Sequence, residues 1–416
     1  MESFNQLYKQ MLKSAVKGEA TVTETDAHLV DRLLHPEKHA PVWQQSPCDC
    51  KDGEEAPCTA ACLYKAIRRD ETGALLIDES LCVGCSACIQ ACKSGKLTQS
   101  KDILPVLEAV KKAPGTVYAM VAPSIIGQFG EAAGAGRLRC AFKKIGFADM
   151  AEVALFADIL TLKEALLFDR EIVTDTDYML TSCCCPIWIA MVRRGYKQFV
   201  SHLPDLVSPM VACARVLKRL DPKAVTVFIG PCIAKKVEAR EKDLQGIVDF
   251  VLTFEEMKDL FDAFEIDMAH LKAEPEEQSS RAGRIYGRTG GVSEAVSETV
   301  RRLRPGRNIE VKAVQADGTA ACRKLLDDLK NDAVTANYLE GMGCDGGCVG
   351  GPKVLIEKDH GRRFVNAYGD EASFATPLEN PAVLSLLKSL GFETAESLIE
   401  DEDIFVRQFE ENAAAR

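Results

Sequence analysis

Eight of the seventeen cysteines of this 416-residue chain fall between residues 48 and 92, and their spacing limits what that stretch can fold into. Its second half reads Cys82-x2-Cys85-x2-Cys88-x3-Cys92. With this spacing a tight loop presents three thiolates to one 4Fe-4S cube while the fourth reaches a second cube. Zinc knuckles also use Cys-x2-Cys, but zinc sites use two such pairs and rarely this three-step run. We therefore expect iron-sulfur clusters here.

The first half, Cys48-x-Cys50-x7-Cys58-x3-Cys62, is a modified copy of the same motif. Between the halves, a turn at 72–73 and a strand at 74–77 match the pseudo-symmetric halves of a ferredoxin. In such a pair of motifs, the fourth cysteine of each motif binds the cluster that the other motif holds. This rule assigns one cluster to Cys62, Cys82, Cys85 and Cys88, and the other to Cys48, Cys50, Cys58 and Cys92. The irregular first spacing, and the lack of a proline after Cys62 or Cys92, leave the completeness of the second cluster open.

The sequence as a whole indicates the cellular compartment in which these thiols work. The chain has no recognisable secretion signal and no apolar run long enough to span a bilayer, so we expect a cytoplasmic protein without a membrane partner. Thiols stay reduced there, so dense cysteine indicates metal ligation or catalysis rather than disulfides. The formal net charge of -11 argues against a nucleic-acid surface.

Beyond residue 100 the chain alternates short apolar strands with helical segments, which predicts an α/β fold. Strands are predicted at 117–121, 178–181, 225–229, 248–253 and 309–314. With 416 residues, of which 47% are hydrophobic, two or three domains are expected.

Three cysteine groups follow strands in this part: TSCCCP from Thr181, IGPCIAKKVE from Ile229 and LEGMGCDGGCVGGP from Leu339. In α/β folds, ligands sit in the crevice beyond the carboxyl ends of the strands. A single cysteine there is more often a buried small hydrophobe. In combination, four thiolates from three separate loops could hold a buried 4Fe-4S cube.

The motifs TSCCCPIW, GPCIAKKVE and EGMGCDGGC resemble, in this order, the three signature motifs of iron-only (FeFe) hydrogenases. The likeness spans residues 115 to 390 and includes FADILTLKEA and GRTGGVSEAV. It implies an α+β ferredoxin-like domain followed by an α/β hydrogenase domain of two lobes, each with a mainly parallel sheet. The implied cofactor is the H-cluster, a 4Fe-4S cube linked through one cysteine to a di-iron unit bearing CO, cyanide and a bridging dithiolate. With the two ferredoxin-like clusters, the chain would hold three cubes.

The resemblance also implies roles for individual residues. Cys185, Cys232 and Cys344 match three ligands of the cube, and Cys348 matches the cysteine that bridges the cube and the di-iron unit. Lys235 matches a lysine that donates to a cyanide; the alternative is a surface lysine paired with Glu238. The other matches around the di-iron unit are Met342, Pro231, Ala122, Pro123 and Ser124.

Proton transfer is where the sequence departs from the family pattern. Cys184 matches the thiol that passes protons to the bridging amine, whereas Cys183 has no assigned role beyond a structural or redox bystander. Glu164 matches the first of two relay glutamates, but Leu167 stands at the second. The relay serine is replaced by Val207 or Ser208. An apolar leucine cannot carry a proton, so the pattern resembles the divergent sensory branch and predicts slow turnover.

One further departure concerns packing: Gly230 replaces a methionine, which we expect to open space near the di-iron unit. The remaining cysteines, Cys140, Cys213 and Cys322, lie in helical patterns and are predicted core residues.

We divide the chain into a helical segment at 1–45, a ferredoxin-like domain at 46–100, an H-cluster domain at 101–390 and an acidic helix at 391–416. The first segment would cover the ferredoxin-like part or mediate self-association as a homodimer. A short helix is expected to begin at Asn380-Pro381 and end at Gly391.

Three functions remain. The first is a slow hydrogenase that interconverts H2 with protons and electrons and exchanges electrons with ferredoxin or another redox protein. The second is an H2 or redox sensor that signals to a partner protein. The third, a cubane-only relative in iron-sulfur assembly, is disfavoured by the complete first motif. The first two also require maturation proteins for the di-iron unit.

Overall fold

The alternation of strands and helices predicted beyond residue 100 is present in the computed structural model. The structure describes residues 4–19, 26–48, 50, 56–71, 74–113, 115–181, 183–274 and 276–409. The strands are β1 (Val42–Gln44), β2 (Ile67–Arg69), β3 (Leu75–Ile77), β4 (Leu97–Gln99), β5 (Val117–Val121), β6 (Asp149–Glu152), β7 (Met179–Thr181), β8 (Val225–Gly230), β9 (Phe250–Thr253), β10 (Ala313–Asp317) and β11 (Tyr338–Met342).

The helices connect these strands and cover them. They are α1 (Phe4–Lys17), α2 (Ala27–Leu34), α3 (Pro57–Ala60), α4 (Ala87–Ala91), α5 (Ile103–Lys112), α6 (Ala135–Ile145), α7 (Val153–Glu171), α8 (Pro186–Gly195), α9 (Pro209–Leu220), α10 (Ala234–Ala239), α11 (Phe254–Ala263), α12 (Arg281–Arg284), α13 (Gly291–Leu303), α14 (Thr319–Lys330), α15 (Lys358–Asp370) and α16 (Pro381–Ser389). Short stretches of 3-10 helix lie at Pro36–Lys38, Pro123–Ile125, Lys197–His202, Met268–His270, Ile285–Gly287, Gly347–Gly350 and Glu396–Glu400.

Two parallel sheets form the larger part of the molecule. One has the order β6-β5-β8-β9 and the other the order β10-β11-β7. Strands β7 and β11 are buried along their whole length, as expected for parallel strands covered on both faces. Two antiparallel pairs, β1-β4 and β2-β3, lie in the cysteine-rich part. The predicted fold class, with a ferredoxin-like part before two lobes that each contain a parallel sheet, is confirmed.

Helix α7 is the central element of the larger part. Most of its side chains are buried, because it packs against α9, α12, α13 and α16. A helix with apolar residues on all sides is stable only when it is enclosed in this way. Its few polar side chains therefore need partners inside the protein, and the candidate site below contains several of them.

The predicted strand 117–121 matches β5, and the strands predicted at 178–181, 225–229 and 248–253 match β7, β8 and β9 within two residues. The helix predicted after Asn380 is also confirmed. The side chain of Asn380 accepts a hydrogen bond from the backbone N–H of Ala382, and Gly391 has a φ of 94°. The turn predicted at 72–73 lies outside the described residues.

The strand predicted at 309–314 is shifted, because β10 begins only at Ala313. The amide of Asn337 accepts from the Lys312 backbone N–H at 2.7 Å and donates to the Glu310 carbonyl at 2.9 Å. This side chain satisfies backbone groups that a strand partner would otherwise pair, so the ladder starts later.

The entirely helical segment predicted at 1–45 is wrong at its end. Helix α1 buries Phe4, Leu7 and Tyr8 and packs against α5 and α11 of the larger part. Residues Val42–Gln44 then form β1, which pairs with β4. Trp43 on this strand contacts the ring of Phe4 edge-on, with the ring centroids 4.9 Å apart. A strand from before residue 46 thus completes the sheet of the cysteine-rich part.

The acidic helix predicted at 391–416 is also not found in the described part of the tail, which runs to residue 409. That part contains only the 3-10 turn Glu396–Glu400, followed by an irregular segment. Leu398, Ile404 and Phe405 are buried in the core. Asp401 accepts hydrogen bonds from Lys163 and from the backbone N–H groups of Ile404 and Phe405. Packing of these apolar side chains outweighs the helical preference of the acidic residues.

In the described part of the chain, no helix combines the length and the apolar character needed to cross a bilayer. The predicted cytoplasmic location stays a prediction.

Candidate functional site

The three cysteine motifs begin where strands of the two parallel sheets end. Cys183 to Cys185 follow β7, Cys232 follows β8, and Cys344 follows β11. Strands β7 and β11 are neighbours, with Met179 paired to Tyr338, whereas β8 belongs to the other sheet. The carboxyl ends of parallel strands form the usual ligand-binding edge of such sheets. The motif loops meet between the two sheets.

Glycines allow these loops to pack against one another without side chains between them. The ring of Trp188, in the first motif, occupies the space where a Cβ on Gly341 would lie, and Ile187 approaches the corresponding position of Gly343 to 2.5 Å. Pro231, in the second motif, comes within 2.8 Å of a Cβ placed on Gly351. The Trp188 indole N–H also donates to the Thr181 carbonyl at 2.7 Å. The glycines and proline of the motifs thus hold the cysteines together.

The thiols of Cys185, Cys232, Cys344 and Cys348 form one group, in which the charge of each acts on its neighbours. Burial, together with the charges of Cys185 and Cys348, raises the pKa of Cys232 to about 12. Burial and the charges of Cys232 and Cys185 likewise raise the pKa of Cys344 well above its usual value. The Gly343 backbone N–H donates to the Cys185 sulfur at 3.2 Å. Mutually repelling thiolates need a nearby cation, and an iron-sulfur cube supplies one.

This donor set fits the cube implied by the sequence. Among the described residues, no three His, Cys, Asp or Glu side chains come close enough to share a single metal ion. The four thiols come from three loops and lie close enough for their charges to act on one another, and the Gly343 backbone N–H donates to one of the sulfurs. Hydrogen bonds to the sulfurs are one of the means by which proteins tune Fe-S clusters.

The side chains expected around a di-iron unit lie at the ends of two strands, one in each parallel sheet. Ala122, Pro123 and Ser124 follow β5, and Met342 ends β11 in a fully buried position. Within the described residues, the Ser124 hydroxyl is buried with no hydrogen-bond partner. Buried hydroxyls rarely stay unpaired in native proteins. An acceptor such as a cyanide nitrogen therefore fits the position of this hydroxyl.

Lys235 is buried, not a surface residue. Its ammonium donates to Glu238 Oε2 at 2.6 Å, so the ion pair anticipated as the alternative exists, but inside the protein. Desolvation by burial lowers the pKa of Lys235, yet the charge of Glu238 and its hydrogen bond outweigh this and leave the pKa raised. The negative charges of Cys184 and Cys232 act in the same direction. The ammonium thus stays charged close to the thiols.

The expectation that Gly230 opens space is wrong. A Cβ on Gly230 would lie 2.6 Å from the ring of Phe228, two residues earlier on the same face of β8. The phenyl ring therefore fills the volume that a longer side chain at 230 would use.

Glu164 lies in a buried polar cluster on α7. Its carboxylate accepts hydrogen bonds from the hydroxyls of Thr181 and, at 2.8 Å, Tyr338. Burial raises the pKa of Glu164 to about 7, although both hydrogen bonds oppose the shift. The sequence analysis missed Thr181 and Tyr338, although each lies directly before or within a cysteine motif.

Cys183 is closer to this cluster than expected for a bystander. Burial raises the pKa of Cys183 well above its usual value, and the negative charge of Glu164 is the second largest cause of this rise. Burial and the charges of Cys183 and Cys348 do the same for Cys184. Leu167, one turn beyond Glu164, is 7% exposed and packs in the apolar core. The Ser208 hydroxyl caps α9 by accepting from the Val211 backbone N–H, and Val207 is buried.

In the ferredoxin-like part, one cavity brings together the first predicted set of ligands. Cys62, Cys82, Cys85 and Cys88 line it, and its remaining wall is mostly apolar. The Ala66 backbone N–H donates to the Cys62 sulfur at 3.2 Å. Burial raises the pKa of Cys88 to about 12, and the charges of Cys85 and Cys82 add to the shift. Four thiols around one cavity fit a 4Fe-4S cube.

Three of the four thiols in the second predicted set are also close together. The Arg69 guanidinium donates to the Cys48 sulfur at 3.6 Å, and Cys50 and Cys58 lie close enough for their charges to act on Arg69. Cys92 packs against the same small core as Cys58, but its sulfur interacts with Ser94 and the backbone of residues 95–97. Residues 49 and 51–55 of this loop lie outside the described part of the chain.

The cavity lined by Cys62 adjoins the motif loops. The Tyr64 hydroxyl, two residues after Cys62, donates to the Ile187 carbonyl at 2.8 Å. A Cβ on Gly84, between Cys82 and Cys85, would lie 2.9 Å from Val237 on α10. The charge of Cys85 also acts on Cys344. A cluster held by Cys62, Cys82, Cys85 and Cys88 would therefore neighbour the thiols of the three motifs.

Comparison with known proteins supports these observations. The family described as iron only hydrogenase large subunit, C-terminal domain, matches residues 115–352, more than half of the chain. A 4Fe-4S binding domain matches residues 75–95.

Individual relatives are more distant. The NADP-reducing hydrogenase subunit HndD of Solidesulfovibrio fructosivorans is 26% identical over 326 residues, covering 66% of this chain and 56% of that protein. The chain thus spans little more than half of that relative. The periplasmic iron hydrogenase large subunit of Nitratidesulfovibrio vulgaris is 26% identical over 363 residues, covering 67% of this chain and 86% of that protein.

Solved structures support the fold. The structure of an FeFe-hydrogenase HydA(deltaEFG), described in connection with stepwise H-cluster assembly, aligns with a TM-score of 0.61 at 20% identity. The alignment covers 74% of this chain and 98% of that one. An FeFe-hydrogenase from Chlamydomonas reinhardtii aligns over the same shares with a TM-score of 0.59 at 20% identity.

Proposed function

Because this chain belongs to the iron-only hydrogenase family and carries a ferredoxin-like 4Fe-4S region, we propose that it interconverts H2 with protons and electrons at an H-cluster. The observation that carries the proposal is the group of Cys185, Cys232, Cys344 and Cys348, whose charges act on one another, with the charged and buried Lys235 beside it. A structural zinc site would not need a buried ammonium beside its ligands.

We assign the cube to Cys185, Cys232, Cys344 and Cys348, the last of which also reaches the di-iron unit. The bound H-cluster supplies the metal centre at which H2 is cleaved heterolytically. The chain provides the surroundings. Lys235 Nζ and Ser124 Oγ would donate hydrogen bonds to the two cyanides, and the buried side chains of Met342 and Phe228 would exclude water. Charge-assisted donors are strongest in such a dry environment.

Cys184 carries the proton at Sγ between the centre and the rest of the protein. Glu164 is the next buried group able to hold a proton, and its pKa of about 7 suits exchange near neutral pH. Beyond it, Leu167 offers no site for a proton, and the Ser208 hydroxyl is engaged as a helix cap. We therefore propose slow turnover limited by proton transfer.

Electrons travel through the ferredoxin-like part. Cys62, Cys82, Cys85 and Cys88 would hold a cluster able to exchange electrons with the cube, because Cys85 lies near Cys344 and the Tyr64 hydroxyl donates to the first motif. Cys48, Cys50, Cys58 and Cys92 would hold the cluster that serves ferredoxin or another redox protein.

A second candidate function is an H2 or redox sensor that signals to a partner protein. The buried Leu167 favours it, because a site that binds H2 but moves protons slowly suits detection better than flux. In that case the ferredoxin-like clusters report the state of the site to the partner.

Infrared spectroscopy of the protein after maturation with the di-iron unit tests the assignment. CO and cyanide bands are expected in the wild type and in Cys184→Ala, but not in Cys185→Ser or in protein expressed without the maturation proteins. Absence of bands in matured wild type contradicts the H-cluster. Bands that survive in Cys185→Ser but vanish in Cys184→Ala would mean that the ligand was misassigned.

Hydrogen turnover separates the two functions. Isotope exchange between H2 and D2O reports cleavage at the site, and reduction of a viologen dye reports export of electrons. Fast dye reduction supports the hydrogenase function and contradicts the proposal that proton transfer limits turnover. Exchange with little dye reduction supports the sensor.

A further inference from the structure

A cavity of about 360 Å³ lies where several parts of the chain meet. Its wall comes from α1, from the segment around β4, from the start of α11 and from the residues that follow the third motif. The volume is within the usual range of small-molecule sites, at roughly 300–1,000 Å³.

The segment that lines this cavity carries three consecutive buried polar residues. Gln99, Ser100 and Lys101 are 2%, 3% and 7% exposed. Both amide atoms of Gln99 and the hydroxyl of Ser100 are buried with no hydrogen-bond partner among the described residues. More than about 90% of buried polar groups in native proteins are paired. Gln99 and Ser100 are therefore unusual, and Gln99 lines this cavity together with the largely buried Lys101.

Lys101 is the central member of the group. Its ammonium lies 4.9 Å from the ring centroid of Tyr8, and within the described residues it makes no ion pair. Desolvation by burial lowers the pKa of Lys101, and the carboxylates of Glu256, Asp259 and Glu255 only partly oppose this. An isolated buried ammonium is costly unless a counter-charge approaches it.

Each of the nearby carboxylates is held by another group. Glu255 pairs with Lys353 at 2.9 Å, and Asp259 accepts from the Tyr8 hydroxyl at 3.0 Å. Glu256 pairs with the buried Lys236 at 3.1 Å. Among the described residues, Lys101 therefore lines the cavity without a direct counter-ion.

The charges that line the cavity are unequal. Four lysines, Lys9, Lys101, Lys258 and Lys353, face two carboxylates, Glu255 and Asp259. Lys258 pairs with Asp262, which is not part of the wall. The local excess is positive in a chain whose formal net charge is -11. Leu97, Ile89 and Leu355 add apolar surface for the body of a ligand.

We propose that this cavity binds a small oxyanion, a carboxylate or phosphate compound, whose charged group contacts Lys101 and whose polar edge pairs with the amide of Gln99. The ligand would join α1, the ferredoxin-like strand β4 and helix α11. Ile89, on the wall, lies between Cys88 and Cys92, so an anion bound here would also lie near the ferredoxin-like clusters. The proposal is independent of hydrogen turnover.

Isothermal titration calorimetry of the cluster-loaded, full-length protein with citrate and with inorganic phosphate tests the proposal. We expect one of the two probes to bind with one-to-one stoichiometry, and the probe that binds identifies the carboxylate or the phosphate class. Lys101→Met should weaken that binding at least 10-fold. Lys388→Met, which removes an exposed lysine from α16, should leave it unchanged. No binding of either probe, or equal binding by Lys101→Met, overturns the proposal.

Thermal unfolding provides a second signature. Without the anion, Lys101→Met should unfold at a higher temperature than the wild type, because an unpaired buried charge has been removed. With the anion, the wild-type midpoint should rise while that of the variant stays constant, since only the wild type binds the ligand. Equal shifts in both proteins contradict the site. Should Lys101→Met not fold, Gln99→Leu replaces it in both experiments, with weaker binding expected.

Discussion

The indole ring of Trp188 occupies the space where a side chain on Gly341 would begin. These residues belong to different cysteine motifs and are 153 positions apart in the chain. The contact places Cys185, three residues before Trp188, next to Gly343, whose backbone N–H donates to the cysteine sulfur. The contact between the Trp188 ring and the Gly341 backbone thus sets the distance between the first and third cysteine motifs.

Gly341→Ala should therefore destabilise the protein. The added methyl group overlaps the Trp188 ring, and overpacking of a core typically costs about 1–3 kcal/mol in the free energy of unfolding. Urea unfolding of the cluster-loaded protein under anaerobic conditions measures the loss, and iron content should fall with it. Gly195→Ala, at the end of the same helix as Trp188 and with no neighbour within 4 Å, serves as the control. Equal stabilities of the two variants would mean that the ring moves freely.

Gly84→Ala and Gly95→Ala form a matched pair in the ferredoxin-like part. Both glycines have a positive φ, 67° and 64°, so alanine causes similar backbone strain at each. Only Gly84 has close neighbours, Val237 and Ala234 of α10. We expect Gly84→Ala alone to weaken the docking of the cluster loop, lowering iron content and slowing reduction of the cube, as followed by electron paramagnetic resonance. Identical behaviour of the two variants would contradict this contact.

The stability of the protein should depend on pH through Glu164. Burial raises the pKa of Glu164 from 4.5 to about 7, so the folded state binds this proton more tightly than the unfolded state. Stability should then fall as pH rises from about 4.5 to about 7, by at most about 3 kcal/mol. Glu164→Gln should have nearly wild-type stability at pH 5 and exceed it at pH 8. Thermal unfolding at both values measures this.

The control for this pH experiment is Glu171→Gln at the exposed end of α7, which should show no such trend. A constant difference between Glu164→Gln and wild type at pH 5 and pH 8 would show that Glu164 is ionised throughout.

Leu167→Glu should speed hydrogen turnover in matured protein. A carboxyl one turn beyond Glu164 gives the proton a further position, and a placed acid-base group contributes roughly 10²–10⁴-fold where proton transfer limits the rate. We expect dye reduction to rise by about 10-fold or more. Leu167→Gln adds a polar group of similar size that does not exchange protons in this way and should leave the rate unchanged. Equal rates for both variants would mean that protons leave by another route.

Lys163→Met should release the tail of the chain. Lys163 and Asp401 are both buried and pair at 3.1 Å. Removing one partner leaves a buried charge uncompensated, which typically costs about 3–5 kcal/mol. We expect lower stability and faster proteolytic cleavage after residue 400. Lys324→Met, which breaks an exposed pair with Asp328, should cost less than about 0.5 kcal/mol. A tail that remains protected in Lys163→Met would show that Leu398, Ile404 and Phe405 suffice to hold it.

Local sequence patterns correctly predicted much of the secondary structure. Residues 117–121 are branched and apolar and form β5, and the cap at Asn380 starts α16 as expected. The predictions failed where long-range contacts outweigh local preference. The amide of Asn337 delays β10, and burial of Ile404 and Phe405 prevents a helix in the acidic tail.

The sequence by itself determined the family, the two-part fold and the spacing of the thiols, because cysteine, proline and glycine at set intervals leave few other structures. Only the tertiary structure decided which groups surround those thiols. It placed Cys183 near Glu164 and filled the space at Gly230 with Phe228. It also enclosed most of the Lys101 side chain, for which the described residues provide no ion-pair partner. The physical reason is that burial and charge at a point depend on every segment that packs there, and those segments are far apart in the chain.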